Sequence, residues 1–402
     1  MCGSIAAYKA VDVCRRLVDA GCHVAPVMTA GAARFLGPAT LSALASEPVH
    51  ASLWADTDPV PHTSLGRRAD VVVVVPATAT LLAKYAAGIA DDLLTATLLA
   101  TRAPVIVCPA MHTEMWEHPA TVDNVATLRR RGVVVVGPVV GRLAGGDEGA
   151  GRLAGVEDIL FATERALTAK DLAGRHVLVT GGGTREPLDP VRFLGNHSSG
   201  KQGEAIAVEA ATRGATVTLV TAADRPPPAG VEVVAVATAA EMEVEVLRRA
   251  ASADVVVMAA AVADFRPATV AEHKVHKAGG PPEVVLEPTV DILAELGRRR
   301  HPGQVLVGFA AETADLREGA QRKLKEKHLD LIVANDLTAP GAGFGHDTNA
   351  ASVLDAAGNW TEVARTSKRR LASIVLGLVA GLLSAQGLAA GTANPPTTGG
   401  GT

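Results

Sequence analysis

A strand-like run that ends in three glycines and leads into a helix most constrains the fold of this chain. The stretch Val177–Gly203 begins with β-branched residues, turns at Gly181, Gly182 and Gly183, and becomes helical after Gly200. Glycines let a backbone turn sharply and approach a ligand closely, while a helix N-terminus offers N–H groups to an anion. The stretch predicts an α/β fold with a phosphate-sized loop, although a bare glycine turn after a strand is often only a turn.

Candidate hydroxyl donors and cations flank this loop, namely Thr180, Thr184, Arg185, Ser198, Ser199 and Lys201. The glycine spacing is neither that of a Walker loop nor the dinucleotide fingerprint G-x-G-x-x-G. A generic two-domain dinucleotide-dependent reductase is therefore a weak alternative. We expect an anion cradle formed by Gly181, Gly182, Gly183, Thr184, Ser198, Ser199 and Gly200.

Apolar runs of strand length alternate with amphipathic helical stretches in both halves of the chain. In the N-terminal half the predicted strands are His23–Met28, Asp70–Val75, Val105–Pro109 and Val133–Val136. In the C-terminal half they are Val177–Thr180, Thr216–Val220, Glu232–Val236, Val255–Ala259, Val305–Phe309 and Leu331–Ala334. This alternation predicts two doubly wound, Rossmann-like α/β domains, residues 1–169 and 170–384, with ligands beyond the carboxyl ends of the strands. The Gly-, Ala-, Thr- and Pro-rich tail, residues 385–402, is expected to be disordered.

The first predicted helix follows the loop Cys2-Gly3-Ser4 directly. A doubly wound sheet should send a strand into such a loop, and the loss of a central strand would expose the edges of its neighbours. We therefore expect a first strand upstream of Met1.

Composition limits the possible functions. The net charge of −4 argues against nonspecific nucleic-acid binding, and no uninterrupted apolar run approaches a membrane span. The four cysteines form no C-x-x-C pair and show no metal-ligand spacing, so we expect reduced thiols in a cytoplasmic protein.

Motifs of the C-terminal half resemble the phosphopantothenate–cysteine ligase family. They are Asn196-His-Ser-Ser-Gly, Ala260-Ala-Val-Ala-Asp-Phe-Arg-Pro267, Lys274-Val-His-Lys277, Gly308-Phe-Ala-Ala-Glu-Thr313 and Ala334-Asn-Asp336. The resemblance implies that CTP activates the carboxylate of 4′-phosphopantothenate as an acyl-cytidylate, which the amine of cysteine then attacks. Such chemistry needs an anion cradle, Mg²⁺ and fixed positive charge.

The ligase resemblance also implies roles for individual residues. Asn196 would position the intermediate, Lys274 would stabilise the activated carboxylate, and Asp264 would hold the ribose or the metal ion. Further substrate contacts are expected from Phe265, Lys277, Phe309, Lys323 and Lys327. Lys323, Lys325 and Lys327 alternate along one helix and point in different directions, so most of the three should face solvent. His276 replaces a lysine that is usual in the family, which affects a secondary charge contact.

The N-terminal half resembles the flavin-dependent phosphopantothenoylcysteine decarboxylases. The motifs are Gly3-Ser-Ile-Ala-Ala-Tyr-Lys9, Pro76-Ala-Thr-Ala-Thr80, Gly88-Ile-Ala-Asp-Asp92 and Pro109-Ala-Met-His-Thr-Glu-Met-Trp116. The resemblance implies FMN bound by Gly3, Ser4, Thr29, Thr40, Pro76, Thr78 and Met111, with His62 as an active-site histidine. Both halves occur in this order in a bifunctional bacterial family of coenzyme A biosynthesis, which implies a homo-oligomer with trimeric flavin domains and dimeric ligase domains.

Two positions depart from the decarboxylase pattern. His112 replaces the asparagine that typically holds the substrate carboxylate, and Gly145 replaces the cysteine that donates a proton. Glycine donates no proton, so His112 or Cys108 would have to serve, or the reduction step is impaired. The sequence leaves two hypotheses: a bifunctional enzyme, or an active ligase whose flavin-binding half serves oligomerisation or regulation with weak or no decarboxylase activity.

Overall fold

The computed structural model describes residues 1–54, 58–275, 283–312, 316–336 and 346–391. It divides into two compact units, Met1–Thr168 (unit 1) and Ala169–Thr402 (unit 2). Both units are α/β, as the sequence predicts.

The helices of unit 1 are α1 (Ala7–Asp19), α2 (Pro38–Leu44), α3 (Pro61–Arg68), α4 (Ala79–Ala87), α5 (Leu93–Ala100), α6 (Thr113–Glu117), α7 (Pro119–Arg130) and α8 (Val156–Leu167). Its strands are β1 (Val72–Ala77), β2 (Val105–Pro109), β3 (Val134–Val135), β4 (Val139–Arg142) and β5 (Glu148–Arg152). The first three form a parallel sheet in chain order, and β4 pairs with β5 as an antiparallel hairpin.

Side chains of β1 and β2 alternate between two helical layers, as strand geometry requires. Val74 and Val107 pack in the core cluster that contains residues of α4, α5 and α7. Val75 and Ile106 pack in a second cluster that contains residues of α1 and α8. The near-continuous apolar runs of these strands are explained by burial on both faces.

The prediction of a strand at His23–Met28 is wrong in the described structure, where this segment makes a single parallel bridge, Val27 to His50. An apolar cavity of about 460 Å³ is lined by residues of this segment and of β1, among them Val24 and Val73. Its backbone hydrogen bonds, from Ser46 N–H to Val24 O at 3.1 Å and from His50 N–H to Pro26 O at 2.8 Å, do not build a continuous ladder. The N-terminal ammonium donates to Val27 O at 2.7 Å.

The helices of unit 2 are α9 (Lys201–Thr212), α10 (Ala239–Ala250), α11 (Ile292–Arg299), α12 (Leu316–Glu326) and α13 (Lys368–Gly391). The strands of its main sheet are β6 (His176–Gly181), β9 (Thr216–Thr221), β10 (Glu232–Ala235), β11 (Val255–Met258), β14 (Val305–Glu312), β15 (Leu331–Asp336), β16 (Thr348–Asp355) and β17 (Trp360–Ser367). Two short hairpins are added by β7 (Arg185–Pro187) with β8 (Phe193–Gly195) and by β12 (Phe265–Pro267) with β13 (Leu286–Pro288).

The sheet order is β10-β9-β6-β11-β14-β15-β16-β17. All pairs from β10 to β15 are parallel, which confirms the predicted doubly wound arrangement. The antiparallel strands β16 and β17, which were not predicted, extend one edge.

Helices cover both faces of this sheet. On one face, Met242 of α10, Leu296 of α11 and Leu324 of α12 pack in a single core cluster with Leu178 and Val256. On the other face α9 packs against α13. The carboxyl edge of the sheet is therefore reached by residues from two helical layers.

The last helix, α13, extends to Gly391 and so passes the predicted start of a disordered tail at residue 385. Residues 392–402 lie outside the described residues. By length and composition, Lys368–Gln386 is apolar enough to cross a membrane, which the sequence analysis did not expect. Leu371, Val375 and Leu376 on this helix are fully buried within unit 2.

Candidate active sites

A cavity of about 470 Å³ opens at the carboxyl edge of the main sheet in unit 2. Its walls come from the loop before α9, the segment after β11, the start of α11, and the ends of β14 and β15. Eight of the predicted substrate residues line it: Asn196, Ser198, Ser199, Gly200, Asp264, Phe309, Lys323 and Lys327. The edge of the sheet thus brings together residues that are far apart in the chain.

The glycine turn after β6 lies beneath this cavity. Gly181, Gly182, Gly183 and Thr184 are buried and are not among the residues that line it, so their predicted contact with the substrate stays a prediction. They hold the segment after β11 instead. Ala261 N–H donates to Gly182 O at 2.8 Å, and Ala263 N–H donates to Thr184 Oγ1 at 2.9 Å. These bonds fix the backbone that leads to Asp264.

Two glycines in this region have backbone angles that favour glycine. Gly182 has φ +80° and Gly200, the N-cap of α9, has φ +76°. A Cβ on either residue would meet Ala223, at 2.5 Å from its N and at 2.6 Å from its Cβ respectively. Only glycine therefore lets the turn and the helix N-terminus approach this closely.

Asn196 joins the loop before α9 to the segment after β11. Its Nδ2 donates to Val262 O at 3.1 Å, and its backbone O accepts from Ser198 N–H at 2.9 Å. The side chain is exposed and lines the cavity. It is therefore oriented by the protein while staying accessible to a ligand.

The lysines of α12 and its C-terminal turn separate as helical geometry predicts. Lys323 and Lys327 line the cavity, whereas Lys325 is exposed and does not. Lys327 Nζ lies 2.8 Å from Asp291 Oδ2. Burial raises the pKa of the Asp291 carboxyl, but the hydrogen bonds from Lys327 and from Ala294 N–H outweigh burial and leave that pKa below its usual value.

Of the two candidate aromatic contacts, Phe309 lines the cavity. Phe265 is 51% exposed on a hairpin and does not line it.

Lys274 is exposed and lies outside the cavity wall, and Lys277 falls outside the described residues. The backbone next to Lys274 is anchored by Asp189, whose carboxylate accepts from Val275 N–H at 3.2 Å. The Arg192 guanidinium holds the pKa of Asp189 well below its usual range. This carboxylate therefore fixes one end of the segment that carries Lys274.

Asp264 is exposed at the cavity wall, and its backbone O accepts from Thr289 N–H at 2.9 Å. Within the described residues, no group of three or more His, Cys, Asp or Glu side chains is placed to hold a metal ion. Mg²⁺ is commonly bound by one or two carboxylates together with substrate phosphates. The two carboxylates that line this cavity, Asp264 and Asp291, fit that mode and do not fit an all-protein metal cage.

Asp291, Asn349 and Lys368 line the cavity although none of them belongs to the motifs that suggested the site. Asn349 and Lys368 are only 3% and 8% exposed. Their signal in the sequence is weak, because each begins an element, β16 or α13, outside the motifs that suggested the site.

In unit 1, the loops at the carboxyl end of the sheet bring Gly3, Thr29 and Pro76 together. Thr29 N–H donates to Met1 O and Cys2 N–H to Pro76 O, each at 3.1 Å. A Cβ on Gly3 would lie 2.6 Å from the carbonyl of Gly31, so glycine is required there. Ser4 precedes α1, which has no side-chain cap, and this arrangement fits an anion such as the phosphate of FMN.

Three further flavin candidates are spread over different elements. Thr78 caps α4 through Leu81 N–H at 3.4 Å, and Met111 N–H donates to Gly151 O at 3.0 Å in the β5 hairpin. Thr40 is exposed on α2, and within the described residues no hydrogen bond joins its side chain to Gly3, Ser4 or Thr29.

His112 is the N-cap of α6 and lies beside the turn between β4 and β5. A Cβ on Gly145 would be 3.1 Å from the His112 Cε1 atom and 2.7 Å from Asp147 Oδ1. His112 Nδ1 lies 3.9 Å from Asp147 Oδ2. Cys108, the other candidate proton donor, is fully buried in the core, and burial raises the pKa of its thiol to about 12. The structure therefore favours His112.

His62 lies on α3, which packs against α5. Its Nδ1 is buried without a hydrogen-bond partner, as is Thr113 Oγ1 beside Gly149. Buried polar atoms of this kind normally find a partner. Both are available to a bound group.

Comparison with known proteins gives a consistent result for both units. The Flavoprotein family model matches residues 1–168, and the model for the DNA/pantothenate metabolism flavoprotein C-terminal domain matches residues 172–382. The coenzyme A biosynthesis bifunctional protein CoaBC of Mycobacterium tuberculosis is 51% identical over 95% of each chain. That of Bacillus subtilis is 43% identical over 94% of this chain and 95% of its own. A crystal structure of the C-terminal domain of a CoaBC protein is 38% identical, with a TM-score of 0.46, over 54% of this chain and 99% of that chain.

The fold and its two sites therefore define a flavoprotein domain followed by a pantothenate-metabolism domain. The chain belongs to the family of bifunctional coenzyme A biosynthesis proteins. It is a bifunctional enzyme with a decarboxylase domain and a ligase domain. The comparisons give no support to the alternative in which the N-terminal half serves only oligomerisation or regulation.

Proposed function

We propose that unit 2 joins 4′-phosphopantothenate to cysteine through an acyl-cytidylate formed from CTP, and that unit 1 then decarboxylates the product with FMN. The observation that carries the proposal is the convergence of Asn196, Asp264, Phe309 and Lys323 on one cavity in a chain of this family. Amide formation from a carboxylate needs activation, because a carboxylate is a poor acceptor for an amine. The cations at this cavity suit the negative charge that develops during activation.

Each residue of the ligase site has a role that its position supports. Asn196, held by Val262 O, orients the activated carboxyl group. Lys274 brings a positive charge from the anchored segment beside Asp189. Phe309 offers a surface for the cytosine ring, and Lys323 and Lys327 contact the nucleotide. Asp264 binds the ribose or Mg²⁺, with substrate phosphates completing the coordination.

The ligase half is tested by incubating the purified chain with 4′-phosphopantothenate, cysteine, CTP and Mg²⁺. The expected products are pyrophosphate, CMP and 4′-phosphopantothenoylcysteine. Lys323→Gln should raise the KM for CTP, whereas Lys325→Gln, which removes the same charge from the solvent side of the same helix, should not. Equal behaviour of the two variants would contradict the assignment, and absence of amide with the wild type would refute the function.

In unit 1, we propose that Gly3, Ser4 and the N-terminus of α1 bind the FMN phosphate. Thr29, Thr78 and Met111 would lie along the flavin, and His62 would hold a proton near the reacting group. When bound, FMN supplies the oxidation and return of electrons that make loss of the carboxylate feasible. His112, whose Nδ1 lies 3.9 Å from Asp147 Oδ2, is the residue we assign to moving a proton beside the turn between β4 and β5. The test is release of carbon dioxide and 4′-phosphopantetheine from 4′-phosphopantothenoylcysteine; a yellow protein that forms no product would refute it.

We also propose that the chain is a cytoplasmic homo-oligomer with trimeric flavin domains and dimeric ligase domains. Exposed apolar side chains near the flavin loops, Ile5, Tyr8 and Phe35, support self-association of unit 1. The hairpins of unit 2 expose Phe193 and Leu286 in the same way. All four cysteines, Cys2, Cys14, Cys22 and Cys108, are unpaired, which suits a reducing compartment.

A further inference from the structure

A polar cluster occupies the end of the unit 2 cavity between β15, β16 and the starts of α9 and α13. Asn349 Nδ2 donates to Asn335 Oδ1 at 3.1 Å and to Gln202 Oε1 at 3.4 Å. Gln202 Nε2 in turn donates to Lys368 O at 3.2 Å. The four side chains line the cavity and come from four different elements.

Asn349 has an unsatisfied acceptor in this cluster. The residue is 3% exposed, and its Oδ1 has no hydrogen-bond partner. A buried amide oxygen without a donor is costly, and such groups in native proteins usually meet a water or a ligand. The acceptor therefore indicates a ligand group that carries a donor hydrogen.

Lys368 brings a buried positive charge to the same place. The residue is 8% exposed. Burial and the nearby Lys201 lower the pKa of its ammonium group, while Asp347 opposes them. Lys201 Nζ is itself 2.6 Å from Asp347 Oδ1. Its surroundings thus disfavour the ammonium form, and a bound anion would stabilise it.

The N-terminus of α9 adds a third element. This helix begins at Lys201, has Gly200 as its N-cap and has no side-chain cap. Its first-turn N–H groups and its dipole favour an anion. Helices α9 and α13 cover one face of the sheet, and α12 covers the other. The cavity end that contains Lys368 and Asn349 is therefore not the end that Lys323 and Lys327 line.

We propose that Lys368, Asn349 and the first turn of α9 form a subsite for a terminal phosphate group of a substrate. The proposal rests on the ligase function proposed above and extends it to residues outside the family motifs. The ammonium group and the helix N-terminus bind phosphate oxygens, and Asn349 Oδ1 accepts from a donor on the same ligand, such as the P–OH of a singly protonated phosphate. The phosphate is either the end of the nucleotide triphosphate or the 4′-phosphate of the acid substrate.

The test is calorimetric binding of two probes, inorganic pyrophosphate and 4′-phosphopantothenate, each added alone to the full chain. Lys368→Met removes the charge and keeps the length of the side chain. We expect a tenfold to hundredfold loss of affinity, about the size of one lost charge-assisted hydrogen bond. A loss of affinity for pyrophosphate assigns the subsite to the end of the nucleotide. A loss of affinity for 4′-phosphopantothenate assigns it to the acid substrate.

Arg370→Met is the matched control, because Arg370 is exposed on the same turn of α13 and lies outside the cavity. Asn349→Asp places a negative charge at the subsite, so it should lower the affinity for the same probe that Lys368→Met affects. Unchanged affinity of both cavity variants for both probes, or a loss shared equally by Arg370→Met, would overturn the proposal. If the wild-type protein binds a probe but forms no amide, the ligase function is refuted and the proposal of the subsite still holds.

Discussion

His112 and Asp147 flank the turn in which Gly145 replaces the expected cysteine. The imidazole ring lies where the missing side chain would project, 3.1 Å from a Cβ built on Gly145. An imidazole ring can accept and donate a proton, and this ring lies beside a carboxylate. The two positions that depart from the family pattern, 112 and 145, are therefore neighbours in space, and the His112 ring occupies the space beside Gly145.

We predict that His112→Ala lowers the rate of decarboxylation at least about a hundredfold, the usual contribution of a positioned acid or base. Formation of the amide in unit 2 should be unchanged. The measurement is carbon dioxide release alongside pyrophosphate release in the same preparation. The double variant His112→Asn, Gly145→Cys should regain activity, because it restores the family pattern at both positions.

His23→Ala is the control, since His23 is exposed in the same unit and lies away from the turn. If His112→Ala decarboxylates at the wild-type rate, another group donates the proton and the assignment is wrong.

Single residues also mark the limits of sequence-based prediction. Asn196, Asp264 and Phe309 belong to motifs and were found at the cavity as expected. Gly181–Thr184 hold the neighbouring segment, a role that the sequence did not suggest, because a glycine turn serves backbone packing as readily as anion binding. Lys368 and Asn349 were missed because their importance comes from burial, which neither residue type suggests.

Among the connecting elements, the N-terminus of α9 depends on a glycine that packs against Ala223. We predict that Gly200→Ala destabilises the protein by about 1–3 kcal/mol more than Gly174→Ala, because only the first adds a steric overlap to the strained backbone. The two glycines have nearly the same φ, +76° and +75°, and a Cβ on Gly174 meets nothing within 4 Å. Urea unfolding measures the difference.

The same Gly200→Ala variant should also weaken phosphate binding at α9, since the helix N-terminus would shift. Equal destabilisation by the two substitutions would show that the contact with Ala223 is not tight.

Strands β6 and β11 are joined at their starts by Asp254. Its carboxylate accepts from His176 N–H at 2.8 Å and from Arg175 Nη1 at 3.0 Å. Burial raises the pKa of Asp254, but these hydrogen bonds outweigh it and leave the pKa below its usual value. The folded state therefore binds this proton less readily than the unfolded state, and the carboxylate adds stability above the unfolded pKa of about 4.

We predict that Asp254→Asn lowers the free energy of unfolding by about 1–3 kcal/mol at pH 7, the range for hydrogen bonds to a charged group. The difference from the wild type should shrink as the pH falls from about 4 through the lower folded-state pKa. Urea unfolding at several pH values tests this, with the exposed Asp224→Asn as the control. A difference that stays constant down to pH 2 would contradict the role of ionisation.

The elements were predictable to different degrees. The parallel strands have continuous β-branched runs, as in Val255–Met258, and these runs identify them in the sequence. Strands β16 and β17 carry mixed polar residues at a sheet edge, where one exposed face weakens the apolar pattern. The segment His23–Met28 has the right composition for a strand, but pairing depends on a neighbour that composition does not reveal.

At the level of the whole molecule, the paired hairpins of unit 2 present a surface suited to self-association. Phe193 is 56% exposed and Leu286 46% exposed, and β7 contacts β12. We predict that Phe193→Asp disrupts the proposed pairing of ligase units, because a charge in an apolar contact is left without a partner. Analytical ultracentrifugation of the full chain measures the change in mass.

Val244→Asp on α10 is the matched control, since Val244 is exposed to a similar extent but lies on a helix outside the hairpins. A mass that does not change with Phe193→Asp, or that changes equally with Val244→Asp, would exclude the hairpins as the interface.

The distribution of cysteines has a consequence for chemistry with thiol substrates. All four lie in unit 1, and unit 2, which handles free cysteine in the proposed reaction, contains none. Burial raises the pKa of Cys2, Cys14 and Cys108, so these side chains stay as unreactive thiols. The ligase unit therefore cannot be trapped as a mixed disulfide with its own substrate, and under oxidative stress its activity should outlast that of enzymes with an exposed thiol near the substrate.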